Sequence, residues 1–198
     1  MGHMKKLVAL CLGLMMVIIG SIAAATPAES GKTKIIKSRA SATFVSANFD
    51  FDNPNLKDPA NYHNGAGISN AGKFTFQAVA EFAPDKHTCT VPGGGANAGT
   101  EFALVADVQV SRFTATGDLL FTKGTSATLC EDFSTSPFPF IFTETGVVTG
   151  GTGKYFGATG TFTATGDGAT LSVDATGARL FGWFENKEVT TLTVRESD

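Results

Sequence analysis

Charge is sparse in this chain of 198 residues, at 17% Asp, Glu, Lys and Arg. Three histidines, one tryptophan and three cysteines make up most of its scarce chemistry-bearing residues. No basic cluster follows "KTKIIK" (Lys32 to Lys37), so binding of nucleic acid through phosphate neutralisation is excluded as a reading. Helical periodicity is nearly absent, which argues against a bundle or an α/β fold. The histidines show no HxH or HxxxH spacing, with His63 and His87 in separate segments and His3 at the very start, so no zinc site is expected. No Gly-x-Ser-x-Gly elbow supports a serine hydrolase. Only one long hydrophobic run is present, at the N-terminus.

That run spans Leu7 to Ile22, preceded by Lys5 and Lys6 and followed by Ala23, Ala24 and Ala25. "MGH" ahead of Met4 has the look of a cloning remnant. A basic start, an apolar middle and small residues at the end make a secretory signal peptide, with cleavage expected after Ala25. Residues 1–25 are therefore set aside, 26–40 are expected as an N-terminal arm, and 41–198 as one domain. The 15 basic residues fall to 13 without Lys5 and Lys6, against 18 acids, a net charge of −5. The expected location is secreted or periplasmic, with no stable membrane anchor after cleavage. Cys11 would leave with the signal, and Cys89 and Cys130 would most simply form one disulfide.

What is abundant is period-two alternation. In "TFVSANFDF", Thr43, Val45, Ala47, Phe49 and Phe51 share a face. Phe74, Phe76, Ala78, Ala80 and Phe82 do so in "KFTFQAVAEF". Phe102, Leu104, Ala106, Val108 and Val110 do so in the next run, and Phe138, Phe140 and Phe142 in "FPFIFTE". "ATLSVDA", "ARLFGWFE" and "EVTTLTVR" continue the habit. Asn53–Gly67 reads as a long polar connection, Pro92–Gly99 as a flexible one, and several short Gly-containing breaks follow. Regular short spacing predicts an all-β fold, a single antiparallel β-barrel of about eight strands. "RFTATGDLLF" and "TFTATGDGATL" echo each other and suggest two hairpins of the same kind.

The glycine-rich "VVTGGTGKYFGATGTFTATGDGA" (Val147 to Ala169) matches neither nucleotide-binding pattern. Gly153–Lys154 has Val148 where the Walker glycine belongs and Tyr155 where Ser or Thr belongs, and Phe156 replaces the third glycine of the dinucleotide fingerprint. It reads as a hairpin, with "GGTG" in the turn and Gly157 and Gly160 inside a strand. "GVVTGGTGKYFGATGTFT", Gly146 to Thr163, resembles the central hairpin motif of the allene oxide cyclase and dirigent proteins. The resemblance implies a small eight-stranded barrel that guides cyclisation or coupling of reactive apolar molecules, often as a trimer. The motif carries none of that family's catalytic residues, so none is transferred.

The expected ligand is a small apolar molecule held among Phe74, Phe76, Phe138, Phe140, Phe142 and Tyr62, with no cofactor and no metal. Glu144 continues the phenylalanine face of its strand. It either borders the cavity as a general acid with a raised pKa, or sits in water or pairs with Arg112. A non-catalytic carrier and a structural protein with a filled core are the alternative functions. Asp50, Asp52, Asn53, Asn55 and Asp58 offer oxygen ligands for calcium, but Pro54 breaks the EF-hand pattern and an exposed turn is the plainer reading. Trp183 is read as core or interface. The strand Glu101–Phe113 is apolar on both faces, which suggests a second layer and hence a homo-oligomer.

Overall fold

The computed structural model describes residues 31–47, 60–175 and 177–195. Eight antiparallel strands close into a barrel in simple chain order, each paired with its neighbours and β8 with β1. They are β1 (Lys32–Ser46), β2 (Asn61–Ser69), β3 (Gly72–Cys89), β4 (Gly99–Phe113), β5 (Leu119–Glu131), β6 (Phe138–Gly151), β7 (Thr159–Val173) and β8 (Arg179–Val194). No α-helix occurs among the described residues. The expected all-β barrel of eight strands is therefore the fold. The signal segment and the Asp50–Asp58 loop lie outside the described residues.

Two boundaries differ from expectation. Lys32–Ala40 is not an arm but the first part of β1, paired with β8 from Lys32↔Val194 onward. Asn61–Gly67 is not a connection but most of β2. Its Asn and Gly residues disguise it, because its neighbours supply the bulk that these positions lack.

The glycines have a second use beyond turns. Six of them stand directly across from an inward-pointing phenylalanine: Gly65 and Phe76, Gly67 and Phe74, Gly146 and Phe162, Gly166 and Phe142, Gly168 and Phe140, Gly182 and Phe44. A Cβ at any of these glycines would run into the partner ring. Narrow barrels fill their interior by setting large side chains against small ones, and here the ring of each pair covers the glycine backbone. The result is an aromatic core containing Phe44, Phe74, Phe76, Phe102, Phe113, Phe140 and Phe184.

The β6–β7 connection is the expected hairpin. It carries a 3-10 turn, Gly153–Tyr155, with Gly153 at φ 54°. Gly157 belongs to this turn rather than to a strand, while Gly160 lies in β7. Tyr155 is fully buried and plugs this end of the barrel, its ring 4.9 Å from Phe113. The two "TATGD" echoes do not share a structure. The first forms the β4–β5 turn, with Gly117 at φ 75°. The second runs straight through β7, where Gly166 and Gly168 lie opposite Phe142 and Phe140. Pairing partners, not the local words, decide between turn and strand.

At the other end, Cys89 and Cys130 form the expected disulfide, with Cα atoms 5.9 Å apart. It joins the end of β3 to β5 across the start of β4. Arg179 lies over Phe102 at 4.7 Å and Phe82 at 5.7 Å, with its Nη1 3.6 Å from Oε2 of the fully buried Glu131. Burial pushes the Glu131 carboxyl up and the Arg179 charge holds it back.

Candidate functional site

Between these two plugs the barrel interior holds a cavity of about 60 Å³. Phe44, Phe82, Leu129, Phe140, Phe142 and Phe184 form its apolar wall. Its polar wall comes from Asn61 and His63 on β2, Asp107 and Gln109 on β4, Glu144 on β6, and Arg179 and Asn186 on β8. Volume of this size holds a few waters, well under the several hundred Å³ of a drug-sized pocket.

Strand alternation places these groups. Phe140, Phe142 and Glu144 follow one another down the inner face of β6, which puts Glu144 at the cavity rather than in water. On β4 a register shift opposite Glu81 and Phe82 splits the apolar set that alternates in the sequence: Phe102 joins the core, but Val108 and Val110 do not. Asp107, Gln109, Ser111 and Phe113 point inward, while Val108 and Val110 point outward and Val108 is half exposed. Arg112 is exposed on the outside and is no partner for Glu144.

Glu144 meets Asp107 instead. Their side chains hydrogen-bond each other, and the Gly124 N–H donates to Asp107 Oδ2 at 3.3 Å. Burial first, and then the Asp107 charge, push the Glu144 carboxyl up to about 9. Burial also raises Asp107, to about 6. Two carboxyls in contact titrate as a pair, and burial together with their mutual repulsion favours one proton shared between them at neutral pH. Glu188 adds a third inward carboxyl. It is raised by burial and accepts a hydrogen bond from the Thr190 hydroxyl at 2.6 Å. A Cβ on Gly124 would strike the Glu144 carboxyl and lie 2.9 Å from Asp107 Cβ and Leu104 Cδ2. The acid pair thus needs glycine at this position for room.

His63 lies deeper among rings, 5.2 Å from Phe184 in an edge contact. Burial and then the Arg179 charge lower its pKa to about 4, so the imidazole is neutral at physiological pH. Three buried oxygens on the cavity wall have no hydrogen-bond partner: Glu144 Oε1, Asn61 Oδ1 and Asn186 Oδ1. Buried polar atoms are nearly always paired, so these three acceptors call for hydrogen-bond donors within the cavity, from water or from a bound molecule.

Of the other expected ligand-contacting residues, Phe74 and Phe76 are core side chains toward the Tyr155 end, and Phe138 stacks on Phe133 at 5.5 Å near the rim. None of the three lines the cavity. Tyr62 faces outward, because its neighbour His63 takes the inward position on β2. Trp183 is also on the outer face, 41% exposed, and is not core. Asp107, Glu188, Asn186, Gln109 and Arg179 were missed. Asp107, Gln109 and Ser111 alternate in sequence, a signal concealed by the more apolar residues between them.

Comparison with family models, curated proteins and solved structures returned no match.

Proposed function

We propose that the barrel interior is a binding and reaction site for a small, largely apolar molecule that bears a hydrogen-bond donor. Glu144 acts on it as a general acid, and the reaction class is an isomerisation or cyclisation. One observation carries this reading: three carboxyls, Asp107, Glu144 and Glu188, face the interior of an otherwise phenylalanine-rich barrel. Burying acids is costly, and a core built only for packing has no use for them. Strongly perturbed groups gathered in a cavity mark functional sites. A carrier needs apolar walls but no retained proton, so the acid pair favours enzyme over carrier.

The chemistry needs no cofactor. Glu144 gives its proton to one atom of the substrate, and the Asp107–Glu144 pair takes a proton from another. Substrate and product then have the same composition and the pair returns to its starting state. The phenylalanine walls would hold the substrate in one conformation, with entry requiring Phe44, Phe142 or Phe184 to swing aside. This agrees with what the resemblance to the allene oxide cyclase and dirigent barrels implies. Export is part of the proposal, supported by the signal-like segment and by a disulfide suited to an oxidising compartment.

Carboxyl-resolved NMR with cyclohexanol and cyclohexane as probes tests the reading. The Glu144 carboxyl should titrate well above the ordinary range. Cyclohexanol should shift the Glu144 and His63 resonances saturably, cyclohexane should do so more weakly, and Glu144→Leu should weaken the alcohol by about tenfold, a hydrogen bond's worth. An ordinary Glu144 titration with no saturable shift would remove the site.

A homo-oligomer is proposed on separate grounds. Outward residues form an unbroken apolar row through direct strand pairing: Phe181↔Val45, Val45↔Tyr62, Tyr62↔Val79 and Val79↔Val108. Trp183 lies beside it on β8. The occupant proposed is a second copy of this chain, because the row lacks charge and continues across five strands as a single surface.

A further inference from the structure

We propose that Asp85, His87 and Glu101 form a binding site for a divalent transition-metal ion of the zinc type, at the disulfide end of the barrel. Nothing in the reading of the cavity depends on it.

The site arises from an irregularity in the sheet. Along β3 and β4, Pro84 pairs with Phe102 and Thr88 with Thr100, with a register shift between. Three residues, Asp85, Lys86 and His87, therefore stand opposite the single residue Glu101. Bulges re-aim side chains. Here Asp85 and His87, two residues apart, are brought to the same side as Glu101. One ligand atom from each of the three lies within 4.8 Å of the others. His87 Nδ1 is 3.3 Å from Asp85 Oδ1. Bonds of about 2.0–2.1 Å in tetrahedral geometry set ligand atoms about 3.3 Å apart, so this edge of the tetrahedron already exists. A small rotation of the Glu101 carboxylate supplies the third ligand.

The surroundings hold the ligands in place. The Lys86 N–H donates to Asp85 Oδ1 at 2.7 Å, which orients the carboxylate. Cys89 follows His87 by two positions, and Glu101 pairs with Cys130 on β5, so the disulfide pins both strands beside the site. Without a cation, two carboxylates share this space with one imidazole. An exposed ion pair of that kind contributes little, whereas a divalent ion would satisfy all three groups. One nitrogen and two carboxylate oxygens suit zinc and neighbouring first-row ions better than magnesium, which prefers oxygen and retains its waters. Three protein ligands leave a fourth position for water, and with the His87 side chain 73% exposed that position opens to solvent.

Zinc chloride titrated into the full chain tests the proposal by calorimetry and by histidine-ring NMR. The expected result is one saturable zinc per chain, a shift of the His87 ring resonances, and a rise in Tm. His87→Ala and Glu101→Gln should each weaken binding by about tenfold or more, since loss of even an outer-sphere partner costs about that much. His3→Ala should bind as the parent does, and magnesium chloride should leave the His87 ring unmoved. Absence of saturable binding up to about 1 mM zinc, corresponding to roughly −4 kcal/mol, would overturn the site. So would a His87→Ala protein that binds zinc like the parent.

Discussion

Glu144 and Asp107 set the pH behaviour of the folded state. Both have folded pKa values raised above their unfolded ones, Asp107 to about 6 and Glu144 to about 9. A raised carboxyl stabilises the fold, relative to its ionised form, below the unfolded pKa, and that contribution is lost as pH rises toward the folded value. His63 works in the other direction. Its folded pKa is lowered to about 4, so it costs stability only as pH falls below about 6.5. Between pH 7 and pH 9 His63 is silent, Asp107 is already ionised, and Glu144 dominates, with Glu188 pushed the same way. Urea unfolding at pH 7, 8 and 9 should therefore show stability falling by up to about 1.4 kcal/mol per pH unit, the value of one proton. Glu144→Gln should flatten this slope. A parent protein whose stability holds level or rises over the same interval would show that Glu144 ionises normally.

Strands depend on pairs of residues that belong to different elements. Gly166 on β7 sits under Phe142 of β6, and a Cβ there would meet both the ring and the Glu185 carbonyl of β8. Gly166→Ala should cost about 1–3 kcal/mol as an overpacking change, read from the urea midpoint. Thr165→Val, on the outer face one residue away, should stay within about 0.5 kcal/mol. Equal effects from the two would remove the glycine–phenylalanine pairing as a packing rule. The same pairs explain what was legible in the sequence. The alternation of β6 was readable because Phe138, Phe140, Phe142 and Glu144 fall at every second position, with Pro139, Ile141 and Thr143 between them. β2 was not readable, because "NYHNGAG" has turn composition and becomes a strand only through the bulk of Phe74 and Phe76 across from it. Which face of β4 lines the interior was not readable, because the strand is apolar on both faces and a register shift puts Phe102 inward but Val108 and Val110 outward. A rule that sends apolar residues inward passes over the inward Asp107 and Gln109. The Asp85–His87–Glu101 cluster was hidden for another reason: it depends on a bulge that brings the three residues together, and no spacing within one strand encodes that.

At the scale of the molecule, several strands place apolar side chains on the outside. Phe181 and Trp183 on β8, Val45 on β1 and Val108 on β4 are each 41% to 49% exposed, and Tyr62 and Val79 complete the row between Val45 and Val108. Scattered exposed apolar residues are ordinary, but these are direct neighbours through the sheet register. Elsewhere the outer face mixes Thr, Lys and Glu, as in Thr161, Thr163 and Thr165 on β7 and Glu185 and Lys187 on β8, with exposed apolar residues such as Ile35, Ile68 and Val189. The continuity of the row makes it the proposed contact, and a single self-complementary patch favours a closed assembly over an extended one. Light scattering at micromolar concentration should give a mass that is a small multiple of the 20.5 kDa chain, or of the shorter chain after leader removal. Phe181→Glu should shift the population to monomer, because a carboxylate at the centre of an apolar contact would lose its water without gaining a partner. Residue 181 points away from the cavity, so the cyclohexanol response of Glu144 should survive in that monomer. If the parent protein is itself monomeric across this range, the row is not a self-association surface. If Phe181→Glu leaves a parent oligomer intact, the copies meet through another face.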